Sequence, residues 1–276
     1  MNYIRDLTLG KYHPGESILH RLDPRTKLLC TLAWMLVIFR IEQVSGILVF
    51  LLLTILLFPL ARLPLHRFWR NVRAFFWLYG ITFFIHLFFH RGQPVWVVPG
   101  LGWIITAEGI QAGILFTVRI AILITISNFL MAVTTPQDIT DGLEKLFRPF
   151  ARFGVPVGEI ALMISISLRF VPILWEESDK IRKAQISRGA DLEGSWILRI
   201  RKTIPMVLPL FAGALKRADD LAMALEARAY RGGEGRTQMI SLRMSFRDYL
   251  AFLATAVLVL AFWIYGNFLH LSVYGS

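Results

Sequence analysis

Five apolar runs, each close to the length of a membrane-spanning helix, limit what this chain can fold into more than any other feature of its 276 residues. They cover 26–41, 44–61, 74–89, 109–133 and 249–271. A spanning helix needs roughly 20 mostly apolar residues, with a range of about 17–25. The first run is flanked by Lys27 and Arg40 and only just reaches; Glu42 and Gln43 form a polar turn behind it, so the first two runs read as a hairpin. Composition agrees: 55% of residues are hydrophobic and 18% charged, against about 45–50% and about 25% in a soluble domain. The single cysteine, Cys30, rules out an intramolecular disulfide and a cysteine-based zinc site. A secreted globular protein, a disordered tail and a disulfide scaffold are all excluded.

The basic residues orient the runs. Residues 1–25 hold no apolar stretch, so no cleavable signal peptide is expected there. Cytoplasmic loops carry the excess of Lys and Arg. With the N-terminus inside and the C-terminus outside, 27 of the 30 Lys and Arg fall on the cytoplasmic side. Only Arg40 and Arg91 lie outside, and Arg119 alone falls within a span. The one sizeable outer segment, 92–106, carries Trp96 and Trp103 and reads as an interfacial loop.

The net charge of +11 thus reports orientation. The long segment 134–245 holds 17 Lys and Arg against 13 Asp and Glu. Charge so evenly mixed suits helices facing water and partners, and it excludes a nucleic-acid or polybasic reading. Thr135-Pro136-Gln137-Asp138 predicts a helix start, with proline in the first turn. A second helix is expected from after Pro156, bent near Pro172, to about Arg188; a third runs from near Pro205 to about Arg231. Residues 160–175 and 204–215 are apolar enough to raise an alternative, a further pair of spans, which preserves the parity of the topology. The favoured reading keeps both as amphipathic helices that start beneath the membrane. The chain then divides into 1–134 (N-terminal segment and four spans), 135–245 (cytoplasmic helices) and 246–276 (last span).

The most informative pattern lies at the far ends of those helices. Ala184-Gln-Ile-Ser187-Arg188-Gly189 is followed forty residues later by Ala224-Leu-Glu-Ala227-Arg228-Ala229. In each, one arginine sits between two small residues near a helix C-terminus. Small neighbours let a partner's backbone approach closely, and a guanidinium fork can reach carboxylate or main-chain oxygens in a groove. A single such arginine reads as a dipole complement worth about 0.3–1 kcal/mol. A matched pair favours docking into two similar grooves.

With these motifs in hand, the sequence resembles the transmembrane T component of energy-coupling factor (ECF) transporters, a group of ABC-type importers. Tyr12-His-Pro-Gly15-Glu-Ser17 through Leu22-Asp23-Pro24-Arg25-Thr26-Lys27 resembles the family's leading signature. Thr134–Glu144, then Arg169-Phe-Val-Pro172 with Ala184–Asp191, then Ala218–Gly233 resemble its cytoplasmic motifs in order. The resemblance implies an all-α integral membrane protein of about five transmembrane helices plus a cytoplasmic helical coupling domain with two long helices, in a bacterial or archaeal cell membrane. It implies two ABC-type ATPase subunits and a substrate-binding S component as partners, with vitamins or related micronutrients as cargo. ATP and Mg would be used by the ATPases, with no cofactor on this chain; the sequence has no G-x-x-x-x-G-K-[S/T] phosphate loop of its own. It also implies ATPase coupling through Ser187, Arg188 and Gly189 and through Ala227, Arg228 and Ala229.

The family pattern at both ends is Ala-Arg-Gly, and Ser187 and Ala229 depart from it. Each keeps a small residue beside the arginine. Losing glycine at 229 removes a ready left-handed position, so the second helix is expected to continue to Gly232, with Arg231 assisting.

Other candidates are weighed on their own residues. Arg119 inside a span is costly, about 2.5–3.5 kcal/mol on insertion scales. An S-component contact, a bond to backbone carbonyls and outward snorkelling are open to it, and an internal structural role is favoured. Asp23, Arg25 and Lys27 are expected to fix the N-terminal segment by capping or ion pairing. His86 and His90 have the i, i+4 spacing of a metal pair but lack an evident third ligand, so no metal is assigned. A membrane-embedded enzyme would need a reactive set that only Arg119 and His86 could begin. A secondary transporter would show repeated halves, which this chain lacks.

Overall fold

The structure is a computed structural model and describes residues 12–90, 92–97, 104–189, 196–230, 232 and 244–274. Among the described residues the chain is helical apart from one two-stranded ribbon. It divides into two compact units, residues 1–142 with 241–276, and residues 143–240.

The first unit holds the apolar runs. They become α1 (Pro24–Arg40), α2 (Val44–Leu60), α4 (Phe76–Phe89), α5 (Ala107–Val133) and α9 (Phe246–Tyr274). Ahead of α4 lies a short amphipathic helix absent from the sequence reading, α3 (His66–Ala74). The described residues Phe68–Ala74 and Phe76–Phe89 form a pair bent by 61°. Three helices among the described residues are long and apolar enough to cross a membrane: Ala107–Val133, Val157–Ser187 and Phe246–Tyr265. The bent pair is apolar enough for a fourth crossing if it acts as one broken span, and Val44–Leu60 is apolar but shorter. At 17 residues each, α1 and α2 rise about 25 Å, a little under the ~30 Å hydrocarbon core.

The outer segment is more ordered than a loop. β1 (Pro94–Val97) pairs antiparallel with β2 (Ile104–Thr106), with Val97 opposite Ile104 and an irregularity between Pro94 and Trp96. Trp96 is exposed there, and Trp103 lies outside the described residues.

Close contacts fix the directions of these helices. A Cβ on Gly109 would meet Leu87 O at 3.0 Å, and one on Gly113 would meet the Phe83 ring at 3.0 Å. Small residues four apart thus let α4 and α5 run antiparallel at short range. The apolar core gathers Ile38, Ile47, Phe50, Ile122 and Ile126, all at most 3% exposed. Trp34 and Phe262 close on Phe50 from either side, at 5.1 and 5.3 Å between ring centres. A second cluster joins Phe58, Leu63, Phe129 and Val133.

The second unit contains a 3-10 turn (Arg148–Phe153) and two long helices, α7 (Val157–Ser187) and α8 (Trp196–Ala227). α6 (Pro136–Phe147) leads into it. α7 carries Pro172 inside it as one continuous helix. α8 begins nine residues before Pro205 instead of at it, and runs through both Pro205 and Pro209. The proline that suggested a helix start is therefore an interior one, where it removes a hydrogen-bond donor and crowds the carbonyl four residues back. Sequence reasoning favoured a place beneath the membrane for 160–175; by length and composition the helix containing it is able to cross.

Candidate functional site: two matched helix ends and a buried polar knot

The sequence motif at 184–189 closes α7 in a defined way. Ser187 is the last helical residue, and its hydroxyl donates to Lys183 O at 3.1 Å. Arg188 is the cap residue, its N–H directed to Ala184 O at 3.2 Å and Gln185 O at 3.1 Å. Gly189 then turns left-handed at φ +82°, donating its N–H to Ile186 O at 3.0 Å.

α8 ends the same way. It stops at Ala227, Arg228 is the next residue, and Ala229 is left-handed at φ +54°. Ala229 N donates to Glu226 O at 2.8 Å and Tyr230 N to Leu225 O at 3.0 Å, the paired bonds of a Schellman closure. The expected continuation to Gly232 is therefore corrected. Alanine takes the left-handed position that glycine takes in the first copy, against a cost of about 1–2 kcal/mol. Gly232 has its own left-handed φ of +89° beyond the helix, and Arg231 lies outside the described residues.

Exposure repeats as well. Gln185 and Leu225 are half-buried, whereas Ser187–Gly189 and Ala227–Ala229 all lie exposed. No hydrogen bond or ion pair among the described residues engages either arginine side chain. The helices are tied at Glu177, whose Oε2 accepts from Arg217 Nη2 at 2.8 Å. Each member of that pair stands eleven residues before its arginine, so each arm extends about 16 Å past the tie. A Cβ on Gly232 would sit 3.6 Å from Glu159 Oε1, which brings the end of α8 back toward the start of α7. The two arginines consequently lie on opposite sides of the tie, separated by as much as ~30 Å.

At the entry to this segment Thr135 and Asp138 form a reciprocal capping box. Asp138 N donates to Thr135 Oγ1 at 3.0 Å and Thr135 N to Asp138 Oδ2 at 3.3 Å. Proline at the first helical position needs no donor there.

The N-terminal candidates form a different arrangement. Asp23 caps α1, accepting from Arg25 N at 2.9 Å, with Arg25 Nε 3.7 Å from the same oxygen. Its own N–H donates to Asp248 Oδ1 at 2.8 Å, while Asp248 Oδ2 accepts from Ser245 N at 2.7 Å. One carboxylate, 1% exposed, therefore serves the N-termini of α1 and α9 together, where the helix dipoles favour an anion. Beside it Lys27 Nζ donates to Val133 O at 2.9 Å and His20 O at 2.8 Å, placing a cation at the C-terminus of α5. In this knot α1 and α9 run parallel and α5 opposite to them. The C-terminus of α5 and the N-terminus of α9 therefore lie on the same side of the first unit. Asp248 escaped the sequence reading, although Ser245-x-x-Asp248 has the form of a capping box.

Arg119 has a structural bond: Nη2 donates to Ile41 O at 2.6 Å, just past the end of α1, and the guanidinium lies 4.9 Å from the Phe116 ring centre. His86 Nδ1 is bonded to Thr82 O at 2.9 Å and its ring stacks on Phe116 at 4.3 Å. Among the described residues no three His, Cys, Asp or Glu side chains gather as a metal site.

Among the described residues, a fold that is helical apart from one short ribbon, with several helices long and apolar enough to cross a bilayer, defines a multi-pass membrane protein. The chain belongs to the CbiQ family, described as cobalt transport protein, whose model matches residues 15–239. It is 43% identical over 256 residues to the energy-coupling factor transporter transmembrane protein EcfT of Thermosediminibacter oceani, covering 92% of this chain and 96% of that one. Proteins of the same name from Acidaminococcus fermentans (39% over 271 residues, 98% and 99% coverage) and Bacillus subtilis (39% over 254, 91% and 95%) are similarly related.

Proposed function

We propose that this chain is the transmembrane subunit of an energy-coupling factor transporter, transmitting ATP-driven closure of two ATPase subunits to a substrate-binding S component. The observation that carries this reading is the repeated helix end: an exposed arginine at the cap, a small residue before it and a left-handed small residue after it, twice, on opposite sides of one tie. Two like ends facing apart suit two copies of one groove, as a pair of ATPase subunits would offer. Each guanidinium would enter a groove as a forked donor, and the left-handed turn behind it would let the partner's backbone close in. When the ATPases draw together on ATP and Mg, the ends move with them, and α7 and α8 carry the displacement to the S component, which would select vitamins or related micronutrients. Ser187 and Ala227 act by being small. The distribution of Lys and Arg supports an orientation with the N-terminus and the two arginine-bearing helix ends in the cytoplasm and the C-terminus outside.

Arg119 and His86, the residues with which a membrane-embedded enzyme could begin a reactive set, are each bonded to a backbone carbonyl, which favours a transporter subunit over that class. The reading is tested by Arg188→Ala with Arg228→Ala. The double variant should insert normally yet fail to retain the ATPases or fail to drive uptake; wild-type uptake would overturn the reading.

A further inference from the structure

The polar knot borders a cleft that neither the fold nor the coupling reading uses. It has a volume of about 460 Å³ and lies between α1, α2, α5, α9 and the segment before α1. That is within the ~300–1,000 Å³ of ordinary ligand sites. Leu22, Trp34, Leu57, Leu60, Phe129 and Leu258 supply an almost wholly apolar interior.

The lining also holds Thr26, Lys27, Cys30, Thr31, Arg247 and Thr255; two of these, Thr26 and Arg247, stand where α1 and α9 begin. Thr26 lines the cleft and is fully buried, and its hydroxyl has no hydrogen-bond partner. Arg247 also lines it and is exposed, in the first turn of α9. A cation at a helix N-terminus opposes the dipole, so α9 gains nothing from it there. Lys27, the other cation on the lining, is committed to two carbonyls. The carboxylates of the knot do not line the cleft: Asp248 is held by Asp23 N and Ser245 N, and Asp23 faces Arg25. Apolar depth, a hydroxyl donor without a partner among the described residues and an exposed cation at the rim follow the order of acyl chain, glycerol ester and phosphate in a phospholipid.

We propose that this cleft holds one acyl chain of an anionic phospholipid drawn from the leaflet at the α1 N-terminus, with the phosphate against Arg247 and a glycerol ester carbonyl accepting from Thr26. Basic pockets between transmembrane helices on the cytoplasmic side are suited to such headgroups. The lipid would fill the seam between α1 and α9 and brace the knot below it. The proposal needs neither ATPases nor S component, so its failure and the failure of the coupling reading are separate outcomes.

Native mass spectrometry of the full-length chain, titrated in detergent with phosphatidylglycerol, phosphatidylcholine or inorganic phosphate, tests it. One phosphatidylglycerol should bind in preference to phosphatidylcholine, and Arg247→Gln should weaken it about fivefold, the worth of one basic residue at an anionic surface. Arg247 is exposed, so that variant keeps the fold. Phosphatidylglycerol with a brominated chain, added at one equivalent, should quench tryptophan fluorescence measurably less in Trp34→Phe than in the wild type. Equal binding of both lipids, binding of phosphate alone with equal strength, unchanged selectivity in Arg247→Gln, or quenching unchanged by Trp34→Phe would each overturn the proposal.

Discussion

The polar knot and the two helix ends use charge in opposite ways. At the knot, Asp23, Lys27 and Asp248 are at most 7% exposed; Lys27 and Asp248 are bonded to backbone groups far away in sequence, and Asp23 caps α1 locally. At the helix ends, Arg188 and Arg228 are exposed, and among the described residues only their backbone is engaged. Charge is worth most to stability where water is excluded and the partners are fixed, and surface charge contributes little. The knot therefore holds this chain together, while the arginines are available to another molecule.

Mutation should separate the two regions. Asp248→Ala leaves the N–H groups of Asp23 and Ser245 without their acceptor, and should cost about 3 kcal/mol or more. Thermal unfolding in detergent should show a large drop, with Asp248→Asn in between because it keeps one acceptor. Arg188→Ala and Arg228→Ala should shift the same transition by under ~0.5 kcal/mol. A large loss of stability in either arginine variant would erase the distinction.

Arg119 provides an intermediate case, charged and within a span yet bonded to one carbonyl. Arg119→Met should cost about 1.5–3 kcal/mol, the worth of a hydrogen bond to a charged group, again read by thermal unfolding. At the helix ends themselves the two copies differ at one residue. Ala229→Gly should relieve about 1–2 kcal/mol of left-handed strain and Gly189→Ala should introduce it. Hydrogen exchange at Tyr230 N–H should slow in the first variant, since that amide closes the α8 end.

The smallest effect belongs to His20, which sits before α1. Its Nε2 donates to His13 O at 3.0 Å and its Nδ1 accepts from Ser17 Oγ at 2.6 Å. Burial pushes its pKa below the usual 6.5, partly offset by the His13 carbonyl. The unfolded chain then takes up the proton first as pH falls. The contribution is full above about 6.5 and is lost as pH drops through that value toward the folded pKa. Chemical-shift perturbation of Ser17 and His20 between pH 7.5 and 5.5 would register the loosening, and His20→Gln should abolish it.

Much of this architecture is legible from residue order, because helix length and hydropathy are local properties. The apolar runs fall within a few residues of α1, α2, α4, α5 and α9, and the Thr135–Asp138 start is visible as a motif. What escapes is either long-range or conditional. Arg119 meets Ile41 across 78 positions, and Asp248 meets Asp23 across 225; neither spacing leaves a periodic trace. Pro205 misleads because the same residue marks a helix start or sits inside one, depending on what precedes it. Ala229 misleads for a related reason. Propensity argues against a left-handed alanine, and only the bonds of Tyr230 and Ala229 to Leu225 and Glu226 hold it there. That the two ends match in backbone as well as in sequence is visible only in three dimensions.

The most direct test of the central claim is site-specific crosslinking in the assembled transporter. With Cys30→Ser removing the single native thiol, Arg188→Cys and Arg228→Cys would each carry a short photoactivatable crosslinker. Each position is predicted to capture one ATPase subunit, and the protein bearing both should yield a three-chain product containing two ATPases. Capture of neither, or of the same ATPase copy by both positions, would contradict the account.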